Sequence, residues 1–196
     1  MSAAPVGTLP ELGLLERSVD FARGTLVAAA TTAGDVPTPC AAWTLADLLA
    51  HMDSSLRTLE QAAVVGGIAI LEPPASGPSG LGVAEQVALL QSRACALMAS
   101  WMGPQAPVIF RVGGSELQAG LLAAAGALEI TVHAWDVGRA CGLTRPIPRA
   151  LAEDLLSYAP LLVSEVDRPH RFGPPLPTGT DSSPAHELLA LVGRRP

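Results

Sequence analysis

Apolar residues recur at helical spacing in four long stretches of the chain, and each stretch is preceded by residues that favour a helix start. The first stretch follows a capping box of Thr8 and Glu11 and is predicted to continue as a helix to about Ala33. The second follows a cap at Thr44, with Asp47 at the third helical position, where an acid also suits the helix dipole. These two patterns predict amphipathic helices.

The third and fourth stretches have the same period. The third is predicted to cover residues 83–102. The fourth is predicted to open at a capping box of Ser115 and Gln118 and to end at Gly142, as a C-terminal glycine would end it. Between them, residues 107–112 are predicted to be a short extended piece, too isolated to imply a sheet.

The rest of the chain predicts long connections and short helices. Residues 69–82 hold three Pro and three Gly and are predicted to be a connection. A fifth helix is predicted from Pro148 to about Glu165, and a short last helix over residues 184–192. Four long helices with irregular connections predict an all-α four-helix bundle with short extra helices at the C-terminal end. We expect residues 1–196 to form a single domain.

Composition narrows the class of protein. The 12 basic residues are all Arg, are spread along the chain and leave a net charge of −6, which argues against a nucleic-acid partner. The longest uncharged apolar runs are ten residues, too short to span a bilayer. The start of the chain does not resemble a secretory signal, so we expect a cytoplasmic protein, either a monomer or a homodimer. The three cysteines, Cys40, Cys95 and Cys141, are expected to be reduced.

The candidate chemistry lies in the fourth stretch. Glu129 and His133 are four residues apart in an almost wholly apolar helix, so both side chains lie on one face, one turn apart. A carboxylate in such a setting needs a partner, and this spacing allows both groups to bind one metal ion. With 18 acidic residues and 4 His in 196 positions, such a pair also arises by chance, so a third ligand is required.

Several other residues are candidates with ordinary alternatives. His51 lies at the edge of the apolar face of the second helix, where a histidine is more often a packed boundary residue than a ligand. Asp136 either accepts a hydrogen bond from the imidazole of His133 or pairs with Arg139. Trp43 either packs at the end of the bundle or lines a substrate pocket.

The C-terminal part adds two further candidates for the substrate pocket. His170 and Arg171 lie in a polar, proline-rich segment and are either surface residues or a pair that closes over the pocket to meet an anionic substrate. Phosphate-binding glycine loops, nucleophile elbows and HExxH sequences do not occur.

Three separated segments together resemble the DinB-like metal-binding bundles, and more closely the branch related to mycothiol-dependent maleylpyruvate isomerase. The segments are Pro39-Cys40-x-x-Trp43-Thr44-x-x-Asp47-Leu48-x-x-His51, Glu129-x-x-x-His133-x-Trp135-Asp136, and Phe172-Gly173-Pro174-Pro175 running to Gly193-Arg194-x-Pro196. The resemblance spans nearly the whole chain. It implies that His51, Glu129 and His133 bind one divalent ion, with water in the open position.

The resemblance also implies a chemistry. Two imidazoles and one carboxylate suit zinc, with nickel, iron and cobalt as alternatives. In the related enzymes the ion holds the sulfur of a low-molecular-weight thiol, which implies a transferase or isomerase that uses mycothiol or a similar thiol on a small-molecule substrate. The isomerase has an additional C-terminal domain that contributes to its site, and this sequence ends before such a domain.

Two alternatives to thiol chemistry stay open. The same ion can act as a Lewis acid in a hydrolase, cyclase or isomerase that needs no thiol. The bundle can also be a non-catalytic protein that binds a small molecule.

Overall fold

The computed structural model describes residues 10–40, 43–68, 80–103, 107–112, 115–168 and 171–195. These residues form two compact units, one ending at Thr144 and the other beginning at Arg145. The prediction of a single domain over residues 1–196 stays a prediction.

Four long helices form the first unit and confirm the all-α prediction. They are α1 (Pro10–Ala29), α2 (Leu45–Val65), α3 (Val83–Met102) and α4 (Ala119–Ala140). The apolar face of α1 packs mainly against α4, and that of α2 packs against α3 and α4. Because α4 is covered from two sides, 17 of its 22 residues are buried, which explains why its sequence is apolar almost all round.

The start of α2 is fixed by the predicted cap at Thr44, which the structure shows to be a reciprocal capping box with Asp47. Thr44 accepts a hydrogen bond from the backbone N–H of Asp47, and the Asp47 carboxylate accepts one from the backbone N–H of Thr44. These bonds to Thr44 lower the pKa of Asp47, so the cap stays intact at neutral pH. This end of α2 lies two turns before His51 and holds that residue in a fixed place along the helix.

A small sheet corrects the sequence prediction at two points. Three strands, β1 (Gly67–Ile68), β2 (Ile109–Val112) and β3 (Ser115–Gln118), form one sheet in the order β1-β2-β3. Part of the predicted extended piece over residues 107–112 therefore does belong to a sheet, which the sequence did not imply. Ser115 and Gln118 do not form a capping box either, because both belong to β3, which pairs with β2 in an antiparallel hairpin. Helix α4 starts at Ala119, directly after Gln118.

The other helix boundaries differ little from those predicted. α1 ends at Ala29 rather than Ala33, and its predicted cap at Thr8 lies outside the described residues. α4 ends before Gly142, which has a φ of 75° and so confirms the predicted C-terminal glycine. Most of the predicted connection over residues 69–82 also lies outside the described residues.

The second unit contains the two predicted shorter helices, α5 (Arg149–Leu162) and α6 (Pro184–Leu191), which pack against each other. A single 3₁₀ turn, Glu165–Asp167, follows α5. The Arg168 guanidinium donates hydrogen bonds to the carbonyl oxygens of Gly173 and Leu191, which ties the backbone at Gly173 to the end of α6. The described part of the chain has no helix that is both long and apolar enough to cross a membrane.

Candidate metal centre

Three side chains from two helices converge on one point of the first unit. His51 comes from α2, and Glu129 and His133 come from successive turns of α4. Each offers one ligand atom, and the three atoms all lie within 4.8 Å of one another. The structure thus brings together the three residues that the resemblance implies as ligands. His51, which lies 78 residues before Glu129 in sequence, joins the i, i+4 pair of α4.

The distances within this group fit a divalent ion. The Nε2 atom of His133 lies 3.4 Å from Oε1 of Glu129. Donor atoms at the corners of a tetrahedron around zinc, about 2.0–2.1 Å from the ion, are themselves about 3.3–3.4 Å apart. The Nε2 atom of His51 is closer, 2.7 Å from the same oxygen, which is a hydrogen-bond distance. His51 would reach the same donor separation from Glu129 by moving about 0.6 Å away from it, and its Nε2 atom would have to be unprotonated to act as a ligand.

Glu129 is held in its ionised form. Burial on its own would raise the pKa of this carboxyl, but the nearby imidazoles of His133 and His51 and hydrogen bonds from His51 and Ser55 together lower the pKa far below its usual value. The carboxylate is consequently available as an anionic ligand throughout the physiological pH range.

Asp136 orients His133. The side chain of Asp136 has no solvent exposure, and its Oδ2 atom lies 3.1 Å from Nδ1 of His133. A carboxylate at that atom accepts the Nδ1 proton, so the lone pair of the neutral imidazole is left on Nε2, the atom that faces Glu129. This is the arrangement expected of an acid that supports a metal-binding histidine. Arg139, the other candidate partner of Asp136, lies over the ring of Trp135, 5.8 Å from its centroid.

Ser55 is a member of the site that the sequence analysis missed. Its hydroxyl donates a 2.9 Å hydrogen bond to Oε1 of Glu129, the oxygen that also meets both imidazoles. Ser55 lies four residues after His51 on α2, so the same spacing that links Glu129 and His133 links these two residues. A serine at that spacing is too common in helices to have been selected without the structure.

Trp43 contacts both histidines. Its ring centroid is 4.4 Å from that of His51 and 5.8 Å from that of His133, with tilted ring planes. The backbone of Trp43 is fixed just before α2, where its carbonyl oxygen accepts a hydrogen bond from the hydroxyl of Thr38. Trp43 therefore forms one wall of the site, and it is half-buried rather than part of the core.

The remaining candidates lie elsewhere or are not described. His170 lies outside the described residues, and Arg171 is an exposed residue of the second unit, so a role for either in a substrate pocket stays a prediction. The fourth histidine of the chain, His186, was not a candidate and is exposed on α6. The three cysteines, all within the described ranges, form no disulfide.

Comparison with known proteins identifies a family and two relatives. The family model for the mycothiol maleylpyruvate isomerase N-terminal domain matches residues 15–138, the range that contains His51, Glu129, His133 and Asp136. Two proteins of Mycobacterium tuberculosis, one from strain CDC 1551 / Oshkosh and one from strain ATCC 25618 / H37Rv, are each 30% identical to this chain over 160 residues. The match covers 81% of this chain and 83% of each relative, and both relatives are described as uncharacterized.

No solved structure matches the chain. The family match covers well over half of the sequence and includes all three converging side chains. The chain therefore belongs to the family of the mycothiol maleylpyruvate isomerase N-terminal domain.

Proposed function

We propose that this protein is a metal-dependent enzyme that acts on a small metabolite, with one divalent ion held by His51, Glu129 and His133. The observation that carries the proposal is the convergence of two imidazole nitrogens and a carboxylate oxygen within 4.8 Å of one another. Two neutral nitrogens and one anionic oxygen are the donor set of catalytic zinc sites, which keep one position for water or substrate. Nickel, iron and cobalt accept the same donors.

We further propose that the reaction uses a thiol, with mycothiol as the first candidate because of the family to which the chain belongs. A bound divalent cation lowers the pKa of a coordinated thiol and so supplies a thiolate at neutral pH. The reaction class is then an S-transfer or an isomerisation on an electrophilic small molecule.

The chain's own residues prepare the site for this chemistry. Asp136 holds the proton at Nδ1 of His133, which keeps the Nε2 lone pair directed at the centre. Ser55 holds Oε1 of Glu129 in place by its hydrogen bond. Trp43 covers the two imidazoles and excludes water from that side of them. The site is nevertheless open to solutes, since the Glu129 side chain is 31% exposed.

The experiment is a titration of cobalt-loaded protein with mycothiol. We expect one cobalt per chain and a new near-ultraviolet thiolate-to-cobalt absorption when the thiol is added. His51→Ala is expected to lose both signals. His186→Ala is the matched control, because it removes an exposed histidine of α6, and it should behave as wild type.

Two results would contradict the proposal in different ways. Protein that takes up no stoichiometric metal would remove the metal centre and the function built on it. Protein that binds cobalt but gives no thiolate band, and whose turnover of small electrophiles is unchanged when thiols are withheld, would replace thiol transfer by thiol-independent Lewis-acid catalysis.

Asp136→Asn is expected to weaken metal binding by about 10–100-fold while leaving the three ligands in place. The amide has a similar shape but no charge, and it no longer favours the Nδ1–H tautomer of His133. Isothermal titration with zinc at fixed pH measures the effect. Asp154→Asn, at an exposed position of α5, is the control and should bind zinc as wild type does. An unchanged affinity in Asp136→Asn would show that this acid has only a packing role.

A further inference from the structure

A small recess lies beside Glu129, between the four helices of the first unit. It is a cavity of about 20 Å³. Most of its lining is aliphatic and comes from all four helices. Representative lining residues are Ala22 and Leu26 of α1, Met52 and Leu56 of α2, and Leu90 of α3. Each of these five residues is at most 6% exposed, so the walls are part of the core.

One wall of the recess is shared with the candidate metal centre. Glu129 and Ser55 both line the cavity, and Glu129 is the member of the ligand group that does so. The Ser55 hydroxyl donates its hydrogen bond to Oε1 of Glu129, so this wall consists of a carboxylate and the hydroxyl bound to it. A group placed in the recess therefore lies directly beside a ligand of the proposed ion.

The chemistry of the walls selects what can enter. A cavity of this size holds one or two waters, since one water needs about 10–15 Å³, and it therefore also fits a methyl or ethyl group. A buried anion would lose its hydration among walls that are mostly aliphatic, and packing against those walls does not return that cost. An uncharged alkyl group has no strongly bound hydration to lose, and its burial against the aliphatic side chains is favourable.

We propose that this recess is a subsite for a small uncharged alkyl group, of methyl to ethyl size, carried by the substrate next to the atom that meets the metal. The inference rests on the proposed function for the position of the ion, and on the cavity itself for the choice of group. The proposal assigns the chemical class of one substituent. The substrate is an electrophile that places a short alkyl group, and not a carboxylate, in the recess beside Glu129.

Alkyl hydroxamates test the subsite because they bind a divalent metal through their oxygens and carry the alkyl chain on the adjacent carbonyl carbon. With cobalt-loaded protein, affinity is expected to rise about fourfold per carbon from formohydroxamate to acetohydroxamate to propionohydroxamate, the gain for burial of one methylene. It should not rise further for pentanohydroxamate, whose chain exceeds the cavity. Succinic monohydroxamate, which carries a carboxylate on a short chain, should bind at least about tenfold more weakly than butyrohydroxamate.

Ala22→Leu fills the recess from α1, away from the ligand residues. This variant should bind cobalt and formohydroxamate as wild type does but lose the gain with chain length. Ala28→Leu is the matched control, because it makes the same change on the same helix at a residue that does not line the cavity, and the gain should persist. Cobalt binding with affinities that do not depend on chain length would overturn the subsite and leave the metal centre intact.

Dissolved xenon gives a readout that needs no metal. In the metal-free wild type, xenon should shift the methyl NMR signals of Met52 and Leu56, and in Ala22→Leu these shifts should be lost. Absence of a xenon shift in wild type would overturn the subsite whether or not cobalt binds. Xenon entry combined with a failure to bind cobalt would instead overturn the proposed function, so the two failures are distinguishable.

Discussion

Glu129→Gln is expected to lower the metal affinity of this protein by at least about 100-fold. The substitution keeps the shape of the side chain and its contacts with His51 and Ser55, but it removes the negative charge. That charge is the anionic part of the proposed donor set. The pKa of Glu129 is lowered so far that the carboxyl is ionised in the folded protein at any pH near neutral. An amide oxygen is a much weaker ligand for zinc than a carboxylate.

Thermal unfolding with and without zinc measures this effect independently of any enzyme assay. At a free zinc concentration 100 times its dissociation constant, wild type should gain about 2.7 kcal/mol of stability. For a chain of 196 residues that gain corresponds to a midpoint about 5–10 °C higher. The zinc-induced rise should be almost absent in Glu129→Gln.

A matched acid on another helix face is the control for that experiment. Glu16→Gln removes the charge of an exposed residue of α1, so its zinc-induced rise should equal that of wild type. A full rise in Glu129→Gln would show that zinc binds elsewhere, and the metal centre inferred from His51, Glu129 and His133 would have to be abandoned.

Local patterns in the sequence were sufficient to predict most of the helices. The Thr44 and Asp47 capping box is made within four consecutive residues, so no tertiary contact is needed to infer it. The same is true of Gly142, which needs its positive φ because the helix before it ends there. The pairing of Glu129 and His133 on one face follows from helix geometry alone.

The sheet and the rest of the site depend on contacts between distant parts of the chain. β1 pairs in parallel with β2, some 44 residues away, so the contact between Gly67 and Arg111 joins distant parts of the chain. The pairing of β2 with β3 was missed because Ser115 and Gln118 also have the spacing of a capping box. Likewise, the 2.7 Å contact between His51 and Glu129 joins two helices and has no local pattern that predicts it.

Gly193→Ala is the substitution for which we expect the largest loss of stability, about 3 kcal/mol or more. Gly193 ends α6 in a Schellman motif: its own N–H donates to the carbonyl of Ala190 and the N–H of Arg194 donates to that of Leu189. Its φ is 78°, a left-handed value that costs about 1–2 kcal/mol for a residue with a side chain. A Cβ atom at this position would also lie 2.6 Å from Cα of Gly173, so the two backbones would have to separate.

Gly142→Ala separates the cost of the positive φ from the cost of the close backbone contact. Gly142 ends α4 in the same motif, since its N–H donates to the carbonyl of Arg139 and the N–H of Leu143 donates to that of Gly138. Its φ is 75°, but a Cβ there would meet nothing within 4 Å. Urea unfolding followed by circular dichroism should therefore show a loss of about 1–2 kcal/mol for Gly142→Ala and a clearly larger loss for Gly193→Ala. Equal losses would mean that the segment around Gly173 moves away from Gly193 at little cost. In that case the contact between these two glycines would not be what requires glycine at position 193, and the helix end alone would account for it.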